Sequence, residues 1–516
     1  MERGKLEQFT EELSFLIRAR YPLIHLSTYE ESRCLQVIRE LCRKRTSELY
    51  VWSRTEGTLK DHESANDIKD PMAILKWYEE TAATDKSVLV LKDFHPYLKE
   101  PTVVRKLRDL AHQLKGRPKN ILFVSALLPI PPELVKEVTV LEVPLPSRAE
   151  VESLIKKAAE VVQTESSEPI DVDSLIDAAT GLTYDEIENV FAKSIVSTGK
   201  LERRLIREEK RQIVKKSGVL EFVENEQMTS HKIGGLSLLR EWLEGRKAGL
   251  SAEARALRLP VPKGILLVGV PGCGKSLTAL TVGKEWELPL LRLDLGRVFS
   301  GLVGSSEGNI RGALATCEAV APCVLWVDEI EKGLSGTKSS GQSDGGTTSR
   351  VFGTLLTWMQ EKKSTVFVVA TANDISQLPP EFLRKGRFDE IFFVDLPRAD
   401  EREEIFRIHT DRFDWSADGF DAKALAEKAD GFSGAEIEQA LVAARYAAFG
   451  RNETFTQDHI VQAIVETVPL SKTMGDRLDG LRDWAKHRAR PASQRREKDI
   501  EDPFRSRSSR LEFAKA

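Results

Sequence analysis

The chain has 516 residues, more than one hydrophobic core usually supports, so two or more domains are expected. Its charged share of 30% and apolar share of 41% are those of a soluble globular protein, and a net charge of −4 gives no general argument for nucleic acid or an acidic membrane. No apolar run approaches the roughly 18 residues that span a bilayer, and Met1-Glu2-Arg3-Gly4 opens no signal peptide, so no membrane partner is expected.

Cys34, Cys42, Cys273, Cys317 and Cys323 lack metal-ligand spacing and fit reduced thiols in the cytoplasm better than a disulfide framework. The histidines include no His-Glu-x-x-His pair, which excludes that type of zinc protease.

In chain order, the first buried strand is Leu23-Ile24-His25-Leu26, followed by Ser27-Thr28-Tyr29-Glu30-Glu31-Ser32-Arg33-Cys34. Another, Val88-Leu89-Val90-Leu91, ends in Lys92-Asp93-Phe94. Pro131-Pro132-Glu133-Leu134 and Gly181-Leu182-Thr183-Tyr184-Asp185-Glu186-Ile187-Glu188 are the remaining landmarks of the first half. Residues 208–217 are charged and weakly apolar, which reads as a helical linker.

In the second half, the strand Ile265-Leu266-Leu267-Val268 runs into Gly269-Val270-Pro271-Gly272-Cys273-Gly274-Lys275-Ser276, with a helix starting near Leu277. This strand, loop and helix form a phosphate-binding loop: glycines allow the tight turn, and backbone N–H groups and the helix dipole face an anion. Lys275 would reach the β- and γ-phosphates of ATP and Ser276 would ligate Mg²⁺.

Cys323-Val324-Leu325-Trp326-Val327 is a strand ending in Asp328 and Glu329. Asp328 would hold the metal through its water shell, and Glu329 would polarise the attacking water. Val366-Phe367-Val368-Val369-Ala370-Thr371-Ala372 leads to Asn373, whose amide would bond the γ-phosphate or the water; such an asparagine is otherwise a turn former. Alternation of short apolar runs with helical segments predicts an α/β fold with a parallel sheet.

From about Ile233 to Val465 the chain resembles an AAA ATPase module of the group that holds FtsH, valosin-containing protein, katanin and the proteasomal ATPases. The likeness rests on Ile233-Gly234-Gly235, the phosphate loop, Asp328-Glu329, Thr371-Ala372-Asn373, Gly386-Arg387-Phe388-Asp389 and Gly431-Phe432-Ser433-Gly434-Ala435. It implies that Asn373 senses the γ-phosphate and that Arg384 and Arg387 are arginine fingers reaching a neighbouring subunit. It also implies that Ile233, Gly234 and His409 lie by the adenine and that Gly434 and Ala435 form the lid turn.

Two departures stand out. Leu302, in Gly301-Leu302-Val303-Gly304, replaces the family's pore-loop aromatic, which weakens any grip on a threaded polypeptide. Residues 333–349 are Gly/Ser/Thr-rich and read first as a flexible linker, or as a mobile substrate contact.

The landmarks of the first half recur in the second at an offset of roughly 235–250 residues. The first copy lacks every loop glycine, and the alignment sets Phe94 where Glu329 stands. The expected fold is therefore a P-loop NTPase sheet with a helical lid, preceded by a degenerate AAA-like α/β domain.

The expected domains are a degenerate module at 1–205, a charged linker at 206–228 and a large subdomain at 229–398. A lid follows at 399–468, then a C-terminal helix and basic tail at 469–516. The tail reads as solvated, though its basic excess also suits RNA, DNA or an acidic protein.

Across its length the chain is similar to the hypothetical AAA proteins of the Ycf type, encoded in plastid genomes and cyanobacteria. The resemblance implies an ATP-hydrolysing homo-oligomeric ring, a hexamer, that remodels a protein or other macromolecular complex. The alternative is a nucleotide-switched regulatory scaffold with slow hydrolysis.

Overall fold

The computed structural model describes residues 5–60, 63–80, 86–126, 130–162, 171–224, 233–250, 254, 257–299, 305–333, 345–384, 386–412 and 419–494. The chain divides into two units, Met1–Glu209 and Lys210–Ala516.

In the first unit, seven strands form one sheet: β1 (Leu23–Ser27), β2 (Glu48–Ser53), β3 (Gly57–Lys60), β4 (Glu63–Asn66), β5 (Ser87–Lys92), β6 (Lys119–Ser125) and β7 (Val138–Glu142). Their order is β4-β3-β2-β5-β6-β1-β7, with β2 to β7 parallel and β3 and β4 an antiparallel edge. Parallel neighbours need crossover connections, which cover both faces and make the central strands near-continuous apolar runs. Leu107, Leu110 and Phe123 share one core, and Phe9, Leu35, Ile38 and Val90 share another.

In the second unit the strands are β8 (Leu220–Val223), β9 (Gly264–Gly269), β10 (Leu290–Leu293), β11 (Cys323–Val327), β12 (Val366–Ala372), β13 (Glu390–Val394) and β14 (Arg490–Pro491). Their order is β14-β13-β9-β12-β11-β10-β8, with β8 alone antiparallel. Set side by side, β7-β1-β6-β5-β2 and β13-β9-β12-β11-β10 have the same order, so the two modules share one topology. β1 and β9 each run between two parallel neighbours, next to β7 and β13, which puts the loop after them at the C-terminal edge where ligands bind in open α/β sheets.

Each module is followed by a small helical lid. The first comprises helices Arg148–Val162, Val172–Ala179 and Tyr184–Thr198; the second comprises Ala399–Arg412, Ala422–Lys428, Gly434–Gly450 and Gln457–Glu466. Matching caps mark the repeat: Asp171 and Asp421 cap one helix pair, and capping boxes Thr183/Glu186 and Ser433/Glu436 open the next.

The charged stretch and the C-terminal stretch, each expected to hold a helix, also contribute the edge strands β8 and β14 to the second sheet. The charged stretch expected to link the modules is the helix Arg203–Ser217 followed by β8, the edge strand on β10. Val214, Val219 and Leu220 are buried in the second core, and Lys210 Nζ donates to the carbonyls of Val320 (3.3 Å) and Ala321 (3.4 Å). The C-terminal stretch begins with the helix Gly475–Arg488 and then pairs Arg490 and Pro491 with β13; the rest of the basic tail, from 495, lies outside the described residues. Among the described residues no helix is long and apolar enough to cross a membrane.

Candidate nucleotide site

β9 ends at Gly269, where a side chain is sterically excluded: a Cβ there would lie 2.0 Å from the Val394 carbonyl oxygen on β13. Gly272 (φ +74°) and Gly274 (φ +88°) then turn the loop through the left-handed region that favours glycine. Gly274 is the N-cap of the helix Lys275–Glu285, so free N–H groups and the helix dipole open toward the loop. Pro271 and Cys273 complete the turn, and Leu277 packs on the neighbouring core. Burial pushes the Cys273 thiol up to about 12, so it stays a thiol rather than a reactive thiolate.

Lys275 is buried, and its Nζ donates to the carbonyls of Gly269 (2.9 Å) and Val270 (2.6 Å). Burial lowers its pKa to about 8, opposed by the charges of Glu331, Asp328 and Glu329.

A connected chain of polar groups runs from the loop across three strands. Ser276 Oγ donates to Asp328 Oδ1 (2.8 Å), and Thr371 Oγ1 donates to the same oxygen (2.7 Å). Thr371 Oγ1 in turn accepts the Glu329 N–H (2.8 Å), and Asn373 Nδ2 donates to Glu329 Oε1 (2.9 Å). Glu329 sits at φ +46°, and its other oxygen pairs with Lys332. The hydroxyl–carboxylate pair Ser276 and Asp328 is an oxygen donor set that suits Mg²⁺, which is typically held by one or two carboxylates plus waters and phosphates. Among the described residues no cluster of three His, Cys, Asp or Glu forms an all-protein metal cage.

The lid meets the same loop. The Ala435 N–H donates to the Gly272 carbonyl (3.0 Å), and a Cβ on Gly434 would approach that oxygen to 3.3 Å. Ile233 lies beside Gly274, and a Cβ on Gly234 would collide with Ile405 at 2.9 Å, so backbone and lid helix pack closely there. His409 is mostly buried on that helix, with Nδ1 3.9 Å from Glu438 Oε1.

The two arginines differ. Arg387 donates to the Glu381 carbonyl of its own loop, while Arg384 is exposed and makes no side-chain hydrogen bond among the described residues. Their neighbours anchor the segment: Phe388 is buried in the core, and Asp389 Oδ2 accepts from Lys263 N (2.7 Å) and Gly264 N (3.0 Å). Leu302 and residues 334–344 lie outside the described residues.

Three family models match in chain order. They are the N-terminal domain of SpoVK-like AAA ATPases at 9–143, the second domain of the same group at 149–217, and the ATPase family associated with various cellular activities (AAA) at 265–396. The chain is 40% identical over 485 residues to "Uncharacterized AAA domain-containing protein ycf46" of Guillardia theta, covering 92% of this chain and 95% of that relative. The chain belongs to the AAA ATPase family. The protein of the same description from Pyropia yezoensis is 40% identical over 494 residues, covering 94% of this chain and 99% of the relative. A proteasome-activating nucleotidase of Aeropyrum pernix is 33% identical over 213 residues, 41% of this chain and 52% of that protein.

The N-terminal AAA-like module shows what the site becomes without glycines. The left-handed residue that ends its acidic-type strand is Asp93, at φ +46° like Glu329, and the buried residue after it is Phe94, as Ile330 is in the second module. Asp93, not Phe94, therefore stands in the place of Glu329, and Lys92 stands in that of Asp328. Strand pattern alone sets Phe94 one residue off, because a continuous apolar run does not mark where a strand ends.

Across from Lys92, the first helical residue after β1 is Glu31, where the second module has Lys275. Glu31 and Lys92 form an ion pair at 2.7 Å, reversing the charges of Lys275 and Asp328. The loop is cut to Thr28–Glu30, and Glu30 is buried: it accepts from the Tyr184 N–H of the lid and from Arg33 (2.7 Å), which also binds Glu150 (2.8 Å) and the Pro144 carbonyl (2.7 Å). Two acidic residues, Glu30 and Glu31, thus stand at the helix start where the second module has Gly274 and Lys275.

Two residues escaped the sequence reading. Thr371 was visible only as part of a motif; its signal is a hydroxyl on the sheet face two residues before Asn373. Glu331 follows Asp328 by one short turn, and its Oε1 accepts the Asn373 N–H (2.8 Å).

Proposed function

We propose that the second module binds ATP with Mg²⁺ and hydrolyses it, and that the protein works as a homo-oligomeric ring, a hexamer, acting on a protein or another macromolecule. The observation that carries this reading is the unbroken chain Ser276–Asp328–Thr371–Glu329–Asn373 beside the phosphate loop. Lys275 exchanges its loop carbonyls for the β- and γ-phosphates, and the lid turn at Gly434 and Ala435 closes on the loop. Ser276 and Asp328 would hold Mg²⁺, which when bound would neutralise charge on the phosphate oxygens.

Glu329 takes a proton from the water as its oxygen attacks the γ-phosphorus, and the bond to the β-phosphate oxygen breaks. Asn373, already on Glu329, orients that water, and the Lys332 ion pair must open to free the carboxylate. Arg384, exposed on its loop, supplies positive charge to a neighbour's transferred phosphoryl, with Arg387 in support.

The free cysteines suit a cytoplasmic setting. The carboxylate-filled N-terminal module supports a role in assembly or partner recruitment for that half.

Glu329→Gln should leave nucleotide binding within about threefold and lower turnover by ~100-fold or more, measured by phosphate release. Turnover near the parent rate would remove Glu329 as the base. A parent protein that binds ATP but hardly turns it over, with or without unfolded protein, would favour the nucleotide-switched scaffold.

A further inference from the structure

Glu331 is a buried acid that the hydrolytic roles assigned above leave unused. It is 5% exposed, and burial raises its carboxyl pKa, opposed by the Asn373 N–H. Its Oε2 is buried and has no hydrogen-bond partner among the described residues. A carboxylate in that setting is unfavourable for stability, so its presence asks for another account.

The geometry supplies one. The segments Glu329–Glu331 and Thr371–Asn373 are zipped together by three contacts. The Glu329 N–H reaches Thr371 Oγ1 at 2.8 Å, the Ile330 N–H reaches the Thr371 carbonyl at 3.0 Å, and the Asn373 N–H reaches Glu331 Oε1 at 2.8 Å. Asn373 is thereby held from two sides, its backbone by Glu331 and its side-chain amide by Glu329 at 2.9 Å. Asn373 also lies just past the end of β12, beyond the ladder with β11, whose last pair is Val327 and Ala370. The first module offers a contrast: two places after its left-handed Asp93 stands His95, so the acid at this position is lost along with the metal carboxylate.

We propose that Glu331 is a positioning residue for the hydrolytic step: it fixes the backbone of Asn373, and through it the amide that orients water beside Glu329. This inference rests on the reading of the second module as an ATP hydrolase.

The test uses the full-length protein, with steady-state phosphate release for kcat and KM and fluorescent-nucleotide titration for affinity. Glu331→Met keeps the side-chain length and removes the acceptor; kcat should fall about tenfold or more while KM and affinity stay within about threefold. Glu331→Gln keeps an acceptor oxygen and should recover at least about a third of the parent kcat. Parent-like kcat in Glu331→Met, a loss confined to KM, or Glu331→Gln no better than Glu331→Met would each overturn the proposal.

If Glu331→Met does not fold, Glu331→Asp, which withdraws the carboxylate by one methylene, should show reduced kcat at unchanged affinity. A parent-like kcat there overturns the proposal equally. The parent and Glu329→Gln are run alongside: a parent without turnover sinks the hydrolase reading itself, whereas an active parent with an inert Glu329→Gln leaves Glu331 as the only point at issue.

Discussion

Thr371→Val removes one hydroxyl from the centre of the site and keeps the side-chain shape. In the parent that oxygen donates to Asp328 Oδ1 at 2.7 Å and accepts the Glu329 N–H at 2.8 Å. A hydrogen bond to a charged group contributes about 1.5–3 kcal/mol, and a buried N–H deprived of its acceptor costs about 1–3 kcal/mol. The second term falls on Glu329, whose φ of +46° a glutamate keeps only when its surroundings hold it. Losing that hold should weigh roughly 2–3 kcal/mol against the orientation that aims the carboxylate at water, a fall of about 30- to 150-fold in kcat. Phosphate release measures the fall, and fluorescent-nucleotide titration should find affinity much less affected. Thr371→Ser, which restores the hydroxyl, should recover most of the rate. A Thr371→Val enzyme within about threefold of the parent, or a serine variant no better than valine, would refute the reasoning.

The filled N-terminal site leads us to expect one nucleotide per chain by calorimetry and none in Lys275→Ala; a second site, or residual binding in that variant, would contradict the charge-reversed reading of Glu31 and Lys92. Arg384→Ala should reduce turnover more than Arg387→Ala, and mixing Arg384→Ala with Lys275→Ala subunits should restore some activity through mixed interfaces. No rescue at any ratio would count against catalysis in trans. Burial raises the Glu30 carboxyl above its usual 4.5, against the pull of the Tyr184 N–H and Arg33. The native state therefore binds this proton more tightly than the unfolded chain, so the stability it adds is full below 4.5 and is lost as pH rises through the raised value. Glu30→Gln abolishes that loss, so urea-unfolding midpoints should shift in favour of the variant as pH rises from about 4.5 to 7; a difference constant with pH would refute the assignment.

The phosphate loop was legible because its requirements are local. Gly269, Gly272 and Gly274 answer to backbone torsions and to one close strand approach, and Lys275 and Ser276 follow at fixed spacing on a helix start. The duplication was legible too, since matching helix caps and buried strands repeat in order. What pattern could not locate was the end of a strand: Asp93, not Phe94, takes the Glu329 position because its left-handed φ, a property of the folded turn, marks it.

The amino-acid sequence by itself determined the α/β class, the doubled module and the residues able to meet phosphate, because glycine torsions, strand alternation and helix caps act over a few residues. Tertiary structure alone decided the rest. It set Thr371 between Asp328 and Glu329, Glu331 under Asn373 and Glu31 against Lys92, and it added the edge strand β8 after the expected linker helix. The three side-chain contacts join groups far apart in the chain, which the register of parallel strands brings within hydrogen-bonding distance, whereas β8 pairs antiparallel on β10.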